Sequence, residues 1–222
     1  EPVIRAAVMQ AMKIMGGQYV LGRTIAEGLR RGRTNNDAET RFSFDMLGEG
    51  ARTEASAAQY LQAYGDAIDE IGNHSSADPS MFSANGISVK LSALHPRYYF
   101  AQHSAVMLEL LPRIKRLCMQ AKYYNIGLSI DAEEAYRLDI SLDIFQALAN
   151  DTDLSHWQGL GFVLQAYQKR APNIAKWVIS LAKDTNRRIM VRLVKGAYWD
   201  AEIKHAQELG LDSYPVFTRK AH

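Results

Sequence analysis

Five times between residues 41 and 210 a short aliphatic stretch is followed by a longer amphipathic one. "RFSFDMLG" (41–48) leads into "TEASAAQYLQAYGDAIDEIG" (53–72), and "GISVKLSAL" (86–94) into "AVMLELLPRIKRLCMQAKYY" (105–124). "IGLSIDAEE" (126–134) leads into "SLDIFQALAN", "GLGFVLQAY" (159–167) into "NIAKWVISLAKDT", and "RIMVRLVKG" (188–196) into "AEIKHAQELG". Strand-length apolar runs alternating with helical periodicity are strand–helix units. Consecutive units of this kind build a parallel sheet with right-handed crossovers. Two architectures satisfy that constraint, an open doubly wound sheet and a (β/α)8 barrel.

Parity within the strands separates them, because side chains two apart share a face. One face carries Phe42 and Phe44, Val89 and Leu91, Leu128 and Ile130, Phe162 and Leu164, Val191 and Leu193. The other carries Ser43 and Asp45, Ser88 and Lys90, Ser129 and Asp131, Val163 and Gln165, Met190 and Arg192. Every strand thus has one greasy face and one face ending in a functional side chain. In a barrel the greasy face meets the helices and the other points into the lumen. The upper lumen layer is then Asp45, Lys90, Asp131, Gln165 and Arg192, at the strand ends where such barrels keep their chemistry. An open sheet would gather its polar residues at one switch point.

The expected fold is therefore a (β/α)8 TIM-type barrel, of which the first five strand–helix units are present. Residues 1–40 form a helical lead-in, with "VIRAAVMQAMKIMGG" stopping at its double glycine and "TIAEGLRRG" as a second short helix. Residues 41–222 form the barrel. A whole barrel takes roughly 250 residues, and this chain of 222 ends at "TRKAH" without a stop signal, so the barrel is expected to be C-terminally incomplete.

Composition narrows the function classes. A net charge of +2 gives no nucleic-acid signature, and the basic run "RRGRTNN" (30–36) reads as a solvated helix end between helices. A single cysteine, Cys118, excludes an internal disulfide and fits a reducing, cytoplasmic setting. No apolar run of roughly 18 residues is present, so no span is expected. The six histidines lack His-x-His or HExxH spacing, so no metal is expected; His95 in "LHPRYY" reads as a structural loop residue. No G-x-S-x-G elbow occurs, and "GEG" (48–50) lacks the third glycine of a dinucleotide loop.

Arg192 makes the sharpest demand. A guanidinium on a strand needs partners, because burying it unpaired is prohibitive. Asp131 and Asp45 are the lumen carboxylates available. One reading is a neutral, mutually paired core network. The other is a polar ligand satisfying many donors and acceptors at one level. "VKGAYWD" favours a ligand: Gly196 allows close backbone approach, Tyr198 and Trp199 offer flat faces, and Arg192 sets a fixed charge below. Such a combination suits a planar flavin ring. Lys90 could hold an anion or act as a Schiff-base nucleophile.

"SVKLSALHPRY", "IDAEEA", "GFVLQAYQKR" and "RLVKGAYWD", in this order, closely resemble the proline dehydrogenase domain of bifunctional proline utilisation A flavoproteins. The resemblance extends through "FSFDMLGE" and the preceding helices. It implies a distorted (β/α)8 barrel holding FAD. The implied reaction is oxidation of L-proline to Δ1-pyrroline-5-carboxylate, with electrons passed to a quinone at the membrane surface. By the same resemblance Lys90 helps hold the substrate carboxylate and Asp131 belongs to the active-site network. Gln165 and Arg192 contact the isoalloxazine, Val194, Gly196 and Trp199 line the cofactor, and Tyr198 lines the proline site. The remaining barrel units, with an arginine pair for the substrate carboxylate, and an aldehyde dehydrogenase domain would belong to a longer cytoplasmic parent with peripheral membrane association. The isolated piece is expected to be inactive. Two rivals stay open: a lysine-dependent carbon–carbon lyase using Lys90, and a non-catalytic barrel fragment.

Overall fold

The computed structural model describes residues 2–35, 40–46, 50–75 and 80–219. Asn36 of the basic run, residues 47–49 of the first aliphatic stretch and its "GEG", and the last residues of "TRKAH" lie outside them. The chain divides into two compact units, Glu1–Phe42 and Ser43–His222.

The first unit holds α1 (Pro2–Tyr19) and α2 (Ile25–Asn35). Contrary to expectation, α1 runs through its double glycine, and the Val20 N–H donates to the Gly16 carbonyl at 2.8 Å. Glycine weakens a helix interior without forbidding it, so it is no certain stop. Thr24 caps α2: the Glu27 N–H donates to Thr24 Oγ1, and the Glu27 carboxylate accepts from the Arg23 N–H. The basic run is a solvated helix end as expected, with Arg30 and Arg33 exposed, but it forms the last turns of α2 rather than a link between helices.

The second unit alternates strictly. The order is β1 (Ser43–Asp45), α3 (Glu54–Asn73), β2 (Gly86–Val89), α4 (His103–Tyr123), β3 (Leu128–Ile130), α5 (Leu138–Asn150), β4 (Leu160–Gln165), α6 (Ala171–Asp184), β5 (Met190–Val194) and α7 (Trp199–Glu208). All five strands are parallel and lie in chain order, β1-β2-β3-β4-β5. A doubly wound sheet reverses its order at a switch point, and this one does not. The sheet is a curved half-barrel, five strands of the (β/α)8 plan.

The helices form where sequence chemistry supports them. Thr53 and Ser56 make a reciprocal capping box at the start of α3. Pro112 lies inside α4, and the carbonyl it leaves without a donor belongs to Leu108, which is 76% exposed, so water can take the bond. Leu110, Ile114, Leu117 and Cys118 of α4 and Ile140, Ile144, Phe145 and Leu148 of α5 are fully buried. They pack with the greasy face of the sheet: Val89, Leu128 and Ile130 are inaccessible, and Phe145 meets Phe162 at 5.0 Å between ring centroids. Burial raises the Cys118 thiol far above its ordinary range and leaves it inert.

Two strand expectations are corrected. "GISVKLSAL" is a strand only to Val89; residues 91–93 turn in a 3-10 helix, which lifts Lys90 to the rim. On β5 the apolar side is not covered, since Val191 is 50% and Leu193 67% exposed. Beneath the strands a cavity of about 880 Å³ is lined by Asn125, His156, Asn186 and Arg187 among others. Of its three cations, Lys183, Arg187 and Arg188, Arg187 is spent on the carbonyls of Asp151, Leu154 and Trp157.

Candidate active site

The strand register sets the site. Asp45 pairs with Ser88, Ser88 with Ser129, and Ser129 with Gly161, so these four form one row across the sheet. One step further along the same face, Lys90 and Asp131 stand side by side. Val163 pairs with Arg192 and Gln165 with Val194. The five functional side chains therefore do not share one level, as parity alone suggests. Barrel shear staggers them over three rows. Long side chains close the gaps that the stagger opens.

Lys90 reaches back to Asp45, with Nζ 2.7 and 2.8 Å from its two carboxylate oxygens, and sideways to Asp131 Oδ2 at 3.0 Å. Arg192 reaches across two strands: Nη2 donates to Asp131 Oδ1 at 2.7 Å and to Ser88 Oγ at 3.1 Å. Asp131 thus bridges the two cations, and it is the carboxylate partner that Arg192 required. The Lys90 main-chain N–H donates to the phenol of Tyr64, a buried side chain of α3 whose pKa burial pushes up to about 12. Burial works against the Lys90 charge, but its bonds to Asp45 and Asp131 prevail and raise its pKa above the ordinary value. A Schiff-base lysine needs a neutral amine at working pH, and this one is held as an ammonium.

These groups line one cavity of about 480 Å³. Asp45, Lys90, Asp131, Gln165, Arg192, Val194, Gly196 and Tyr198 all contribute to it. Trp199 does not; it begins α7, and its indole N–H donates to the Phe217 carbonyl at 2.8 Å. Gln165 is buried, and both ends of its amide are engaged: Nε2 donates to the Glu133 carbonyl at 2.8 Å, and Oε1 accepts from the Ala197 N–H at 3.2 Å. Gly196 has φ 129°, and a Cβ there would lie 2.0 Å from the Tyr167 ring. The Tyr198 N–H donates to the Tyr167 hydroxyl at 3.3 Å, which fixes the loop after β5. Burial, reinforced by Glu133 and Glu134, raises the Tyr198 phenol well above its ordinary range, so it stays a neutral donor.

The paired-network reading is thus realised among the charges, yet it is not closed. Arg192 Nε is buried and has no hydrogen-bond partner among the described residues. His95 is a structural residue: its Nδ1 accepts from the Arg97 N–H and its Nε2 faces Glu109 at 3.1 Å. Among the described residues no group of His, Cys, Asp and Glu is arranged to hold a metal, and no helix is long and apolar enough to cross a membrane.

Sequence reasoning passed over two supports of this site, Tyr64 and Glu133. Tyr64 gives no sequence signal. Glu133 does: its spacing to Arg137 in "EEAYR" is the i,i+4 pair of opposite charges that the structure forms at 2.8 Å.

Comparison with known proteins follows the same lines. The proline dehydrogenase family model matches residues 28–222. The chain is 52% identical over its whole length to the bifunctional protein PutA of Escherichia coli strain K12, and spans 17% of that curated relative. A solved mutant of Bradyrhizobium japonicum proline utilization A superposes with a TM-score of 0.86 at 51% identity, over 99% of this chain and 22% of that one. Proline utilization A from Bdellovibrio bacteriovorus, inactivated by N-propargylglycine, superposes with a TM-score of 0.89 at 23% identity, over 97% of this chain and 24% of that one.

Proposed function

The chain belongs to the proline dehydrogenase family, and from that premise we propose that its cavity binds L-proline beside a flavin, as part of an enzyme that oxidises proline to Δ1-pyrroline-5-carboxylate. The observation that carries this is the Asp45–Lys90–Asp131–Arg192 chain of ion pairs ending in a donor without a partner among the described residues.

The residues fit FAD on that donor. The buried Arg192 Nε needs an acceptor, and an electron-rich ring edge with nitrogen and carbonyl acceptors provides one. Gly196 lets the main chain approach without a side chain, and Gln165 and Val194 complete the wall. Held by Arg192, Gln165, Val194 and Gly196, FAD would supply the acceptor for a hydride from C5 of proline.

The chain's own residues bind and orient. Lys90 spends one N–H on a bifurcated bond to Asp45 and one on Asp131, which leaves the third for a substrate carboxylate. Asp131 holds Lys90 and Arg192 at fixed spacing, so the substrate end and the ring end of the cavity are coupled through one carboxylate. Arg192 presents fixed positive charge where negative charge develops, the usual form of electrostatic stabilisation. Tyr198 contributes a neutral phenol and a flat ring at the proline end. Trp199, at the first turn of α7, borders the cofactor from outside the cavity wall.

The family reading extends further. On it we extend the proposal to electron delivery to a membrane quinone, a cytoplasmic protein with peripheral membrane contact, and a second, aldehyde-oxidising activity elsewhere in a longer parent. The bifunctional name of the Escherichia coli relative supports the last of these. The ammonium state of Lys90 disfavours the lyase alternative.

The test is anaerobic titration of the full-length protein with L-proline. A bound flavin spectrum that bleaches on addition is the expected result. A protein without flavin, or a flavin that proline leaves oxidised, overturns the proposal.

A further inference from the structure

Glu133 is a buried carboxylate outside the ion-pair chain of the site, yet it is tied to four strand ends. Its Oε1 accepts the Ser92 N–H at 3.0 Å, two residues beyond Lys90. It sits two residues beyond Asp131. Its own main-chain carbonyl accepts from Gln165 Nε2 at the end of β4. Gln165 in turn accepts the Ala197 N–H, next to Tyr198 beyond β5. Past the ends of the sheet ladder, one residue thus links the segments that carry Lys90, Asp131, Gln165 and Tyr198.

Glu133 is 9% exposed, and burying a carboxylate is costly unless it is paired and bonded. Among the described residues Glu133 is the carboxylate hydrogen-bonded to Arg137, though not the only negative charge beside it. Arg137 has a second carboxylate, Glu134, at 3.2 Å, and the rings of Tyr98, Tyr99 and Tyr136 stand 5.3–5.7 Å from its guanidinium. Arg137 anchors Glu133, holding Oε2 at 2.8 Å so that Oε1 faces Ser92.

We propose that Glu133 is a positioning residue that sets the spacing between the Lys90–Asp131 pair and the Gly196–Tyr198 loop. Cutting it frees the 90–94 turn directly. The Glu133 carbonyl survives the cut, and the effect reaches the Ala197 N–H of the 195–199 loop by letting that carbonyl, and Gln165 bonded to it, move. The strands themselves, held by their ladder bonds, stay in place. The consequence for proline binding rests on the function proposed above; the consequence for the backbone does not.

Hydrogen exchange resolved by segment, on the full-length protein, tests the backbone part. Glu133→Ala should speed exchange at least tenfold in 90–94 and in 195–199, with 128–130 unchanged. Gln165→Leu should speed 195–199 alone, and it stands in if Glu133→Ala does not fold. Glu133→Gln keeps one acceptor and should fall between Glu133→Ala and wild type in 90–94. Uniform acceleration, or no change in 195–199, overturns the proposal, because a residue that only stabilises the fold gives the first and a local contact the second. Kinetics add the functional arm: KM for proline should rise at least tenfold in Glu133→Ala and kcat should fall by less. A fall in kcat at constant KM also overturns it. A wild-type protein that does not oxidise proline ends the functional reading and leaves the exchange result to decide the positioning role.

Discussion

Lys90 and Arg192 carry like charge into one cavity and have different work, because their free donors differ. Lys90 keeps one N–H for a small anion. Replacing it with Met in the full-length protein should weaken proline binding by about 1.5–3 kcal/mol, the usual worth of a hydrogen bond to a charged group. Flavin content should stay as in wild type, and titration with a proline analogue checks both. Arg192→Met removes a charge next to the ring. The reduced, anionic flavin should lose more than the oxidised form, so the midpoint potential should fall in a potentiometric titration. An unchanged potential with the flavin fully bound would make Arg192 a partner of Asp131 and nothing more. Glu133 gives a pH prediction. Burial raises its carboxyl above the ordinary 4.5 despite the Ser92 bonds and Arg137. A raised folded pKa means stability that is present below pH 4.5 and lost as pH rises through the folded value. Glu133→Gln removes that loss, so its melting temperature relative to wild type should climb as pH rises above about 4.5. A constant difference across that range would show that the carboxyl titrates as it does unfolded.

At the scale of the element, each strand end is a decision between continuing and turning. "VKLSAL" reads as strand throughout, because its apolar residues alternate correctly, yet the chain turns after Val89. The Tyr64 hydroxyl takes the Lys90 N–H that a longer ladder would have used. The loop after β5 is decided by Gly196. Gly196→Ala puts a Cβ into the Tyr167 ring and into a backbone region unfavourable to L-residues. It should cost about 1–3 kcal/mol in thermal unfolding and loosen the Tyr198 N–H from Tyr167. On the helix side, Phe145 joins α5 to β4 and to Trp177 of α6. Phe145→Ala should cost about 3–5 kcal/mol, the range for a buried aromatic, read from denaturant midpoints.

At the scale of the molecule, a five-strand parallel sheet has two edges, and here one edge strand also shows its apolar side. Val191 and Leu193 are half or more exposed, whereas parallel strands are normally covered on both faces. An exposed apolar edge strand pairs with whatever it meets. The isolated 222-residue chain should therefore self-associate at micromolar concentration in sedimentation velocity, and Val191→Thr with Leu193→Thr should shift it toward monomer. Persistence of the same association in the double variant would locate the contact elsewhere. By the same argument the isolated chain should have no measurable proline turnover, because its cavity is walled by five strands only.

The sequence by itself determined the alternation of strand and helix, the two faces of every strand and the identity of the lumen side chains. These are properties of period and hydrophobicity, and neighbours along the chain suffice to specify them. Arg192, Asp131 and Lys90 were legible as a group for this reason. Only the tertiary structure decided which carboxylate meets which cation. Strand register is set by pairing between segments about 30 to 43 residues apart, and the stagger it introduced put Asp131 between the two cations and Asp45 behind Lys90. The same holds for the placement of Trp199 outside the cavity, where the indole found the Phe217 carbonyl. It holds too for Glu133, whose reach to Ser92, Gln165 and Ala197 exists only once four strand ends have been brought together.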